Sequence, residues 1–120
     1  MSERVYTPVE TADLLRRDLP HWRYDEGAIV RTFRTHSWKG TMLAVGAVGH
    51  LAEAAWHHPE IVLTYASLVV RLNTHSAGGI TDKDFELARR IEDVVGWRPR
   101  GGALEGAPGD AASAYMRYDD

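Results

Sequence analysis

The sequence predicts one α+β domain whose elements follow in the order helix, strand, strand, helix, strand, strand, helix. Three long segments repeat apolar residues at the spacing of a helix, and two of them open with a capping box that marks where a helix begins. Between the helical segments lie two pairs of short runs rich in β-branched and aromatic residues. The 120 residues suffice for one domain with its own core.

The first helix begins at Thr7, whose hydroxyl can cap the backbone while Pro8 takes the first helical position. Glu10 completes the capping box, since its carboxylate can reach back to the first backbone N–H. A β-hairpin is predicted next, with strands near residues 22–24 and 28–34. The turn-forming Asp-Glu-Gly sequence between these strands sets the hairpin connection.

Residues 38–56 are predicted to form a long second helix that is capped by Ser37. Gly40, Gly46 and Gly49 lie within this segment, and each costs a helix up to about 1 kcal/mol relative to alanine. Such a cost suggests close approach of another backbone. We therefore expect this face of the helix to pack tightly on the sheet or on a symmetry mate.

Two further strands are predicted at residues 61–65 and 68–74, joined by a tight turn. Successive side chains of a strand point to opposite faces, so Leu72 and the apolar residues two and four positions before it share one face. Arg71 then faces the other way, together with the odd-numbered residues that follow it. The strand therefore delivers His75 at its exit, away from the leucine face.

The last helix begins after Thr81, the predicted cap, with Asp84 as the acidic half of a second capping box. Leu87 and Ile91 belong to an apolar stripe that the helix can bury. Gly96 ends the helix, because glycine is the residue most favoured just past a helix terminus.

Residues 1–97 are therefore assigned to the folded domain and residues 98–120 to a C-terminal tail rich in glycine and alanine. No period in the tail could bury a face, so the tail is predicted to be mobile. Tyr115, Met116 and Tyr118 are the only tail residues expected to dock on the domain.

The composition narrows the range of functions. Net charge is −3 and the isoelectric point is about 6.0, whereas a duplex-binding domain shows a basic face, so direct binding of nucleic acid is not expected. The chain has no cysteine, which excludes disulfides and thiolate chemistry and fits a reducing cytoplasm. No signal peptide or membrane-spanning run is recognisable, so we expect a soluble cytoplasmic protein with no membrane partner.

Three histidines carry the chemical hypothesis: His57 and His58 at the end of the second helix, and His75 after the fourth strand. Imidazole exchanges protons near neutral pH, with an ordinary pKa of about 6.5. Glu53 lies one helical turn before His57, so its carboxylate is expected to orient that ring and raise its basicity. His58 is rotated from His57 by about 100° on a helix. If the three rings converge, they form a proton-transfer site.

The same residues admit other interpretations. A histidine at the end of a helix often binds the terminal carbonyls and favours the negative end of the helix dipole, and this is the better explanation for His57 taken alone. Asp84 is preferred as a capping residue over a catalytic one. A histidine cluster can also bind zinc or iron, but the His-Glu-x-x-His spacing is absent, so no metal site is predicted.

The spacing of these residues resembles the signature of the pterin-4a-carbinolamine dehydratases, also called 4a-hydroxytetrahydrobiopterin dehydratases. The positions of that signature are all filled, by Glu53, His57-His58-Pro59, Tyr65, His75 and Asp84. The resemblance extends from Trp22 into the last helix. Trp56 departs from the family pattern, because a small polar residue is common directly before the histidine pair.

The resemblance implies a four-stranded antiparallel sheet with helices packed on one face. It also implies the family's reaction, the loss of water from the 4a-hydroxy adduct of a tetrahydropterin to give the quinonoid dihydropterin. That reaction recycles the tetrahydrobiopterin cofactor of aromatic amino acid hydroxylases. No metal, flavin or nucleotide cofactor is implied.

The resemblance also implies roles for individual residues. His57 and His75 would serve the departing hydroxyl and the pterin proton, His58 would hold the substrate, and Glu53 would orient His57. The substrate-binding set that follows from the signature region is His57, His58, Pro59, Thr74, His75, Ser76 and Ala77.

The partners implied are a pterin substrate and further copies of the chain, since members of the family form homodimers and homotetramers. A different class of function stays open on the same fold. Related proteins include a dimerisation cofactor of a transcription factor and scaffold-like assembly proteins, which use the oligomer surface. The complete histidine set favours the enzyme, because a scaffold has no physical need for it.

Overall fold

The computed structural model describes residues 3–107 and 114–118 of the chain. The described part is an α+β fold, as predicted, with three helices and an antiparallel sheet. In chain order the elements are α1 (Pro8–Asp18), β1 (Arg23–Asp25), β2 (Ala28–Thr35), α2 (Trp38–Ala55), β3 (Glu60–Thr64), β4 (Ser67–Leu72), α3 (Asp82–Val95) and β5 (Met116–Arg117). No helix in these residues is long and apolar enough to span a membrane.

The predicted caps at Thr7 and Thr81 define where two helices begin. The Thr7 hydroxyl accepts a hydrogen bond from the Glu10 backbone N–H, and the Glu10 carboxylate accepts one from the Thr7 N–H, so α1 begins with a complete capping box. A capping box of the same kind joins Thr81 and Asp84 at the start of α3. Both helix starts are therefore fixed by local sequence, as expected.

The strands are ordered β1-β2-β4-β3, and each neighbouring pair is antiparallel. Burial alternates along β4: Leu68, Val70 and Leu72 are fully buried, whereas Val69 and Arg71 are only partly covered. The buried face forms one core with apolar residues of all three helices. Helices thus cover one face of the sheet, and Arg71 lies on the other face, as the predicted alternation requires.

The sheet has a fifth strand that the sequence did not predict. Met116–Arg117 forms β5 and pairs with the end of β2 at Arg34 and Thr35. Met116 is buried in the core, and the Tyr115 carbonyl oxygen accepts a hydrogen bond from the His36 N–H. A two-residue strand has no periodicity to recognise, which is why it was missed.

The docked segment belongs to the predicted tail, and Met116 and Tyr118 pack against the core as expected. A Cβ atom added at Gly40 would lie 2.9 Å from the Tyr115 carbonyl oxygen, so this glycine permits close approach of the tail. Residues 108–113 and 119–120, which the prediction of a mobile tail includes, lie outside the described residues.

The other two glycines of α2 do not contact the sheet. Gly46 and Gly49 are exposed, and a Cβ atom added at either would meet nothing within 4 Å. Packing of this face on the sheet was therefore a wrong expectation for these two positions, because the covered side of α2 is formed by Ala44, Val48 and Ala52. Packing on a symmetry mate stays a prediction.

Candidate active site

The end of α2 reverses the chain and directs the histidine pair. The His57 N–H donates to the Ala52 carbonyl oxygen at 3.1 Å, and the Trp56 N–H donates to the Glu53 carbonyl oxygen at 3.2 Å. Trp56 is left-handed, with φ 55° and ψ 45°. This pair of bonds around a left-handed residue is a Schellman motif, which stops the helix. His57 and His58 thus leave the helix in a new direction instead of continuing its faces.

His57 is held by a buried carboxylate. Its Nε2 lies 2.7 Å from Asp84 Oδ1, and the Asp84 side chain is fully buried whereas 14% of the His57 side chain is exposed. The other oxygen, Oδ2, accepts hydrogen bonds from the Thr74 hydroxyl at 2.8 Å and the Thr81 N–H at 2.9 Å. With three partners Asp84 has a fixed geometry, and it fixes the ring of His57 in turn.

His58 has a different partner. Its Nε2 lies 2.8 Å from Glu53 Oε1, and both side chains are largely exposed. The expectation that Glu53 orients His57 was therefore wrong: Glu53 binds His58, and Asp84 binds His57. The reason is the reversal at Trp56, which removes His57 from the helical face that it would share with Glu53.

His75 begins a short 3₁₀ turn, His75–Ala77, that follows β4. The Thr74 N–H donates to the Gly79 carbonyl oxygen at 2.9 Å, and the Ala77 N–H donates to the Thr74 carbonyl oxygen at 3.0 Å. Gly78 is left-handed at φ 74° and turns the chain back. The loop from residue 74 to residue 79 is thus closed by its own backbone, and it presents His75 to solvent.

The N-terminal arm, which is the segment before α1, binds the chain at the far end of this loop. The Tyr6 N–H donates to the Ile80 carbonyl oxygen at 2.8 Å, and the Tyr6 hydroxyl donates to Asp82 Oδ1 at 2.5 Å. That hydrogen bond to a carboxylate raises the pKa of the Tyr6 phenol. A Cβ atom added at Gly79 would lie 2.8 Å from Val5 Cγ1, so the arm lies directly against the loop.

His58 and His75 line one cleft of about 390 Å³. That volume is within the roughly 300 to 1,000 Å³ of small-molecule sites. The remaining polar lining comes from Glu60, Arg71 and Asn73. Two of the three predicted histidines therefore line the same cleft. Strand alternation had predicted that His75 lies away from the leucine face of β4.

His57 does not line the cleft but is linked to the same loop. Asp84 contacts both the His57 ring and the hydroxyl of Thr74, the residue directly before His75. Asp84 thus connects His57 to the segment that carries His75, although the three histidines do not form a single cluster. The bond to Asp84 engages Nε2, so any proton exchange of His57 with a ligand falls to Nδ1.

The predicted substrate-binding residues differ in their exposure and in whether they line the cleft. Pro59 lines the cleft, Ser76 is exposed and Ala77 is half-buried. Thr74 is buried, and its hydroxyl binds Asp84 and the Thr81 hydroxyl. Tyr65, the aromatic residue of the signature, is 65% exposed in the β3–β4 turn and does not belong to the sheet core.

Sequence reasoning missed the second role of Asp84. The capping interpretation was correct, but the same carboxylate also binds His57. Asp84 is the third residue of α3, and an acidic residue at that position is a local sequence signal for a cap. Its contact with His57 arises from tertiary packing of two distant segments, so no local pattern signals it. Arg71 was recognised as a strand-face residue, and the structure pairs its guanidinium with Asp25 at 2.9 Å at the edge of the cleft.

The groups needed to hold a metal do not come together in the described residues. In residues 3–107 and 114–118, no three His, Asp or Glu side chains are close enough to bind one ion. His57 and His58 have separate carboxylate partners, which uses their Nε2 atoms in hydrogen bonds. The arrangement is that of groups that exchange protons and accept or donate hydrogen bonds.

Comparison with protein families gives an independent result. A family model described as "Pterin 4 alpha carbinolamine dehydratase" matches residues 4–94, which include all of the site residues above. The match covers most of the chain and ends within α3, so β5 lies outside it.

Individual relatives agree with this match. A protein of Natronomonas pharaonis that carries a provisional name as a pterin-4-alpha-carbinolamine dehydratase is 42% identical over 96 residues, which is 79% of this chain and 99% of that protein. One of Aquifex aeolicus with the same name is 41% identical over 78 residues, 65% of this chain and 79% of that protein. A solved structure from Brucella melitensis, described as a transcriptional coactivator/pterin dehydratase, superposes with a TM-score of 0.70 at 29% identity, covering 78% of this chain and all of the other.

Proposed function

This chain belongs to the pterin-4a-carbinolamine dehydratase family and is a hydro-lyase, and on that premise we propose the reaction and the residues that perform it. The substrate class is a pterin carbinolamine. The proposed reaction is dehydration of 4a-hydroxytetrahydrobiopterin to the quinonoid dihydropterin, in the recycling of tetrahydrobiopterin.

The reaction needs two proton transfers. Hydroxide is a poor leaving group, so the C4a hydroxyl takes up a proton as the C–O bond breaks and departs as water. The adjacent ring nitrogen supplies the electron pair that forms the new C=N bond, and its own proton is lost. Positioned general acids and bases typically contribute about 10²- to 10⁴-fold to the rate of such steps.

The histidines are assigned to these steps as follows. His75, exposed in the cleft, exchanges a proton with the hydroxyl or the ring. His57 lies outside the cleft lining, so it makes the second transfer through Nδ1 only where the bound pterin extends beyond that lining to its ring. His58, which lines the cleft beside His75, holds the substrate. Glu53 acts on His58, its observed partner, and Asp84 takes the orienting role toward His57. The backbone around Pro59 and residues 74–77 meets the flat pterin ring.

One observation carries this proposal: imidazoles from two distant segments, His58 and His75, line one cleft whose volume lies in the range of small-molecule sites. Asp84 adds to it, because a fully buried carboxylate beside His57 is the arrangement that keeps an imidazole in one orientation. A helix-end histidine that merely binds carbonyls would not need such a partner.

The first test is His75→Ala, assayed with enzymatically generated 4a-hydroxytetrahydropterin while quinonoid formation is followed by absorbance. We expect loss of the protein-dependent rate by about 10²-fold or more, because a proton-transfer group is removed. The fold should be unchanged, since the His75 side chain is exposed. His50→Ala, at an exposed position on α2, is the matched control and should keep full activity. Full activity of His75→Ala would rule out the role assigned to His75.

A second candidate function is an interaction role of the assembled protein, which the description of the Brucella melitensis structure as a coactivator favours. We propose that the chain forms a homodimer or homotetramer. Exposed apolar residues support this: Val62 and Leu63 on the edge strand β3, and Met42 and Leu43 on α2. His75→Ala separates the two functions, because it should abolish dehydration and leave the mass measured by light scattering unchanged.

A further inference from the structure

Trp56 has a backbone conformation that its side chain disfavours. Among the described residues other than glycine, only Glu26 and Trp56 have positive φ. Glu26 precedes Gly27 in the β1–β2 turn, where hairpin geometry requires positive φ. Trp56 instead occupies the left-handed position of a Schellman motif, where glycine or asparagine is usual and a bulky residue is an outlier.

Burial does not explain why tryptophan stands there. The side chain of Trp56 is 75% exposed, so it gains little of the hydrophobic stabilisation that usually offsets a strained backbone. The strain therefore persists for another reason, and strained residues cluster at functional sites.

The indole contacts one residue of the site. Its ring centroid lies 5.1 Å from that of His58 at an interplanar angle of 82°, an edge-to-face arrangement. His58 is thus bounded by two groups, the Glu53 carboxylate at Nε2 and the Trp56 ring. A half-exposed imidazole at a cleft would otherwise sample several rotamers, and ordering it on binding would cost entropy.

We propose that Trp56 is a positioning residue, whose indole holds the His58 imidazole in the orientation in which His58 meets the substrate. The inference rests on the proposed function, in which His58 holds the pterin. It makes Trp56 a determinant of substrate binding through His58, and it assigns the backbone strain at the end of α2 to that task.

The test is a set of substitutions at Trp56 with opposite expected effects on stability and binding. Trp56→Gly and Trp56→Asn relieve the left-handed strain, so the urea midpoint of unfolding should rise. The same variants lose the ring contact, so the KM for the carbinolamine should rise roughly two- to tenfold, the range to which an aromatic pair converts, while kcat changes less. A merely structural residue would not separate these two quantities in this way.

Trp56→Phe is the rescue variant, because it restores an aromatic edge or face at the same position. It should return KM to within about twofold of the wild type without the gain in stability, since phenylalanine keeps the left-handed strain. Trp97→Asn is the matched control: Trp97 is 55% exposed and follows α3, away from the histidine pair. It should leave KM unchanged.

A readout independent of turnover separates this inference from the proposed function. In NMR spectra, nuclear Overhauser effects should join the Trp56 and His58 rings, and the His58 ring protons should shift in Trp56→Asn. If the wild type shows no dehydration of the carbinolamine, the proposed function fails while these signals still decide the contact. An unchanged KM together with unshifted His58 signals in Trp56→Asn would overturn the inference, as would a lower urea midpoint.

Discussion

Two adjacent histidines of this chain are held in opposite ways. His57 Nε2 lies 2.7 Å from a fully buried carboxylate, whereas His58 Nε2 lies 2.8 Å from a carboxylate on Glu53 that is 70% exposed. The bond lengths are nearly equal. The energies are expected to differ, because a hydrogen bond is stronger where water is excluded, while pairs at the surface typically contribute about 0 to 1 kcal/mol.

The contrast assigns different tasks to the two rings. His57 is built into the fold, since Asp84 also binds Thr74 and Thr81 and so joins the end of α2 to the start of α3. His58 is at the surface, where Glu53 and Trp56 contact its ring beside the cleft. In the proposed function, the ring built into the fold would transfer a proton and the ring at the cleft would hold the substrate.

Among the substitutions considered, removal of the buried Asp84 carboxylate should lower the stability of the fold most. Asp84→Ala leaves the donors on Thr74 and Thr81 and the ring of His57 without their common acceptor, so we expect a loss of about 3 to 5 kcal/mol in the free energy of unfolding. Urea denaturation measures it. Asp93→Ala, at an exposed position on the same helix, is the control and should change stability by less than about 0.5 kcal/mol.

Asp84→Asn sharpens the same experiment. It keeps the size of the side chain and one acceptor oxygen, so its loss of stability should be smaller than that of the alanine variant. The dehydration rate should still fall, because a neutral amide stabilises a protonated imidazole less than a carboxylate does. A loss below about 1 kcal/mol in Asp84→Ala would show that the buried network contributes little, and the comparison between the two histidines would collapse.

The histidines themselves provide the next test. His57→Gln should cost about 1 to 3 kcal/mol, because the buried carboxylate loses a partner, whereas His58→Gln should cost less than about 1 kcal/mol. Both should reduce dehydration, the first mainly in kcat and the second mainly in KM. Urea unfolding and steady-state kinetics of the two variants side by side measure this. Equal losses of stability would contradict the assignment of one ring to the fold and the other to the substrate.

Local sequence predicted much of this architecture, because the signals are local. The caps at Thr7 and Thr81 fix where two helices begin, and alternation along β4 fixes which way Arg71 and His75 face. These patterns depend only on residues within a few positions of one another. The fold class and the order of the elements follow from them.

The contacts of the site were harder to predict. Helical spacing placed Glu53 beside His57, but the left-handed residue Trp56 breaks that spacing before His57 is reached. Tryptophan gives no sign of a left-handed conformation, whereas glycine would have. The partnership of Asp84 with His57 joins residues on different helices, so only tertiary packing shows it. The strand β5 was missed because two residues carry no period.

The smallest effect on stability is expected for removal of the exposed Glu53 carboxylate. Glu53→Gln should change the free energy of unfolding by less than about 0.5 kcal/mol, since a hydrogen-bonded pair exposed to water contributes little. The amide oxygen can still accept from His58 Nε2, so KM should rise by no more than about threefold. Glu86→Gln, exposed on α3, is the control for loss of one negative charge. A stability loss in Glu53→Gln as large as that of Asp84→Asn would mean that exposure does not set the energy of these pairs, and the difference between His57 and His58 would then need another cause.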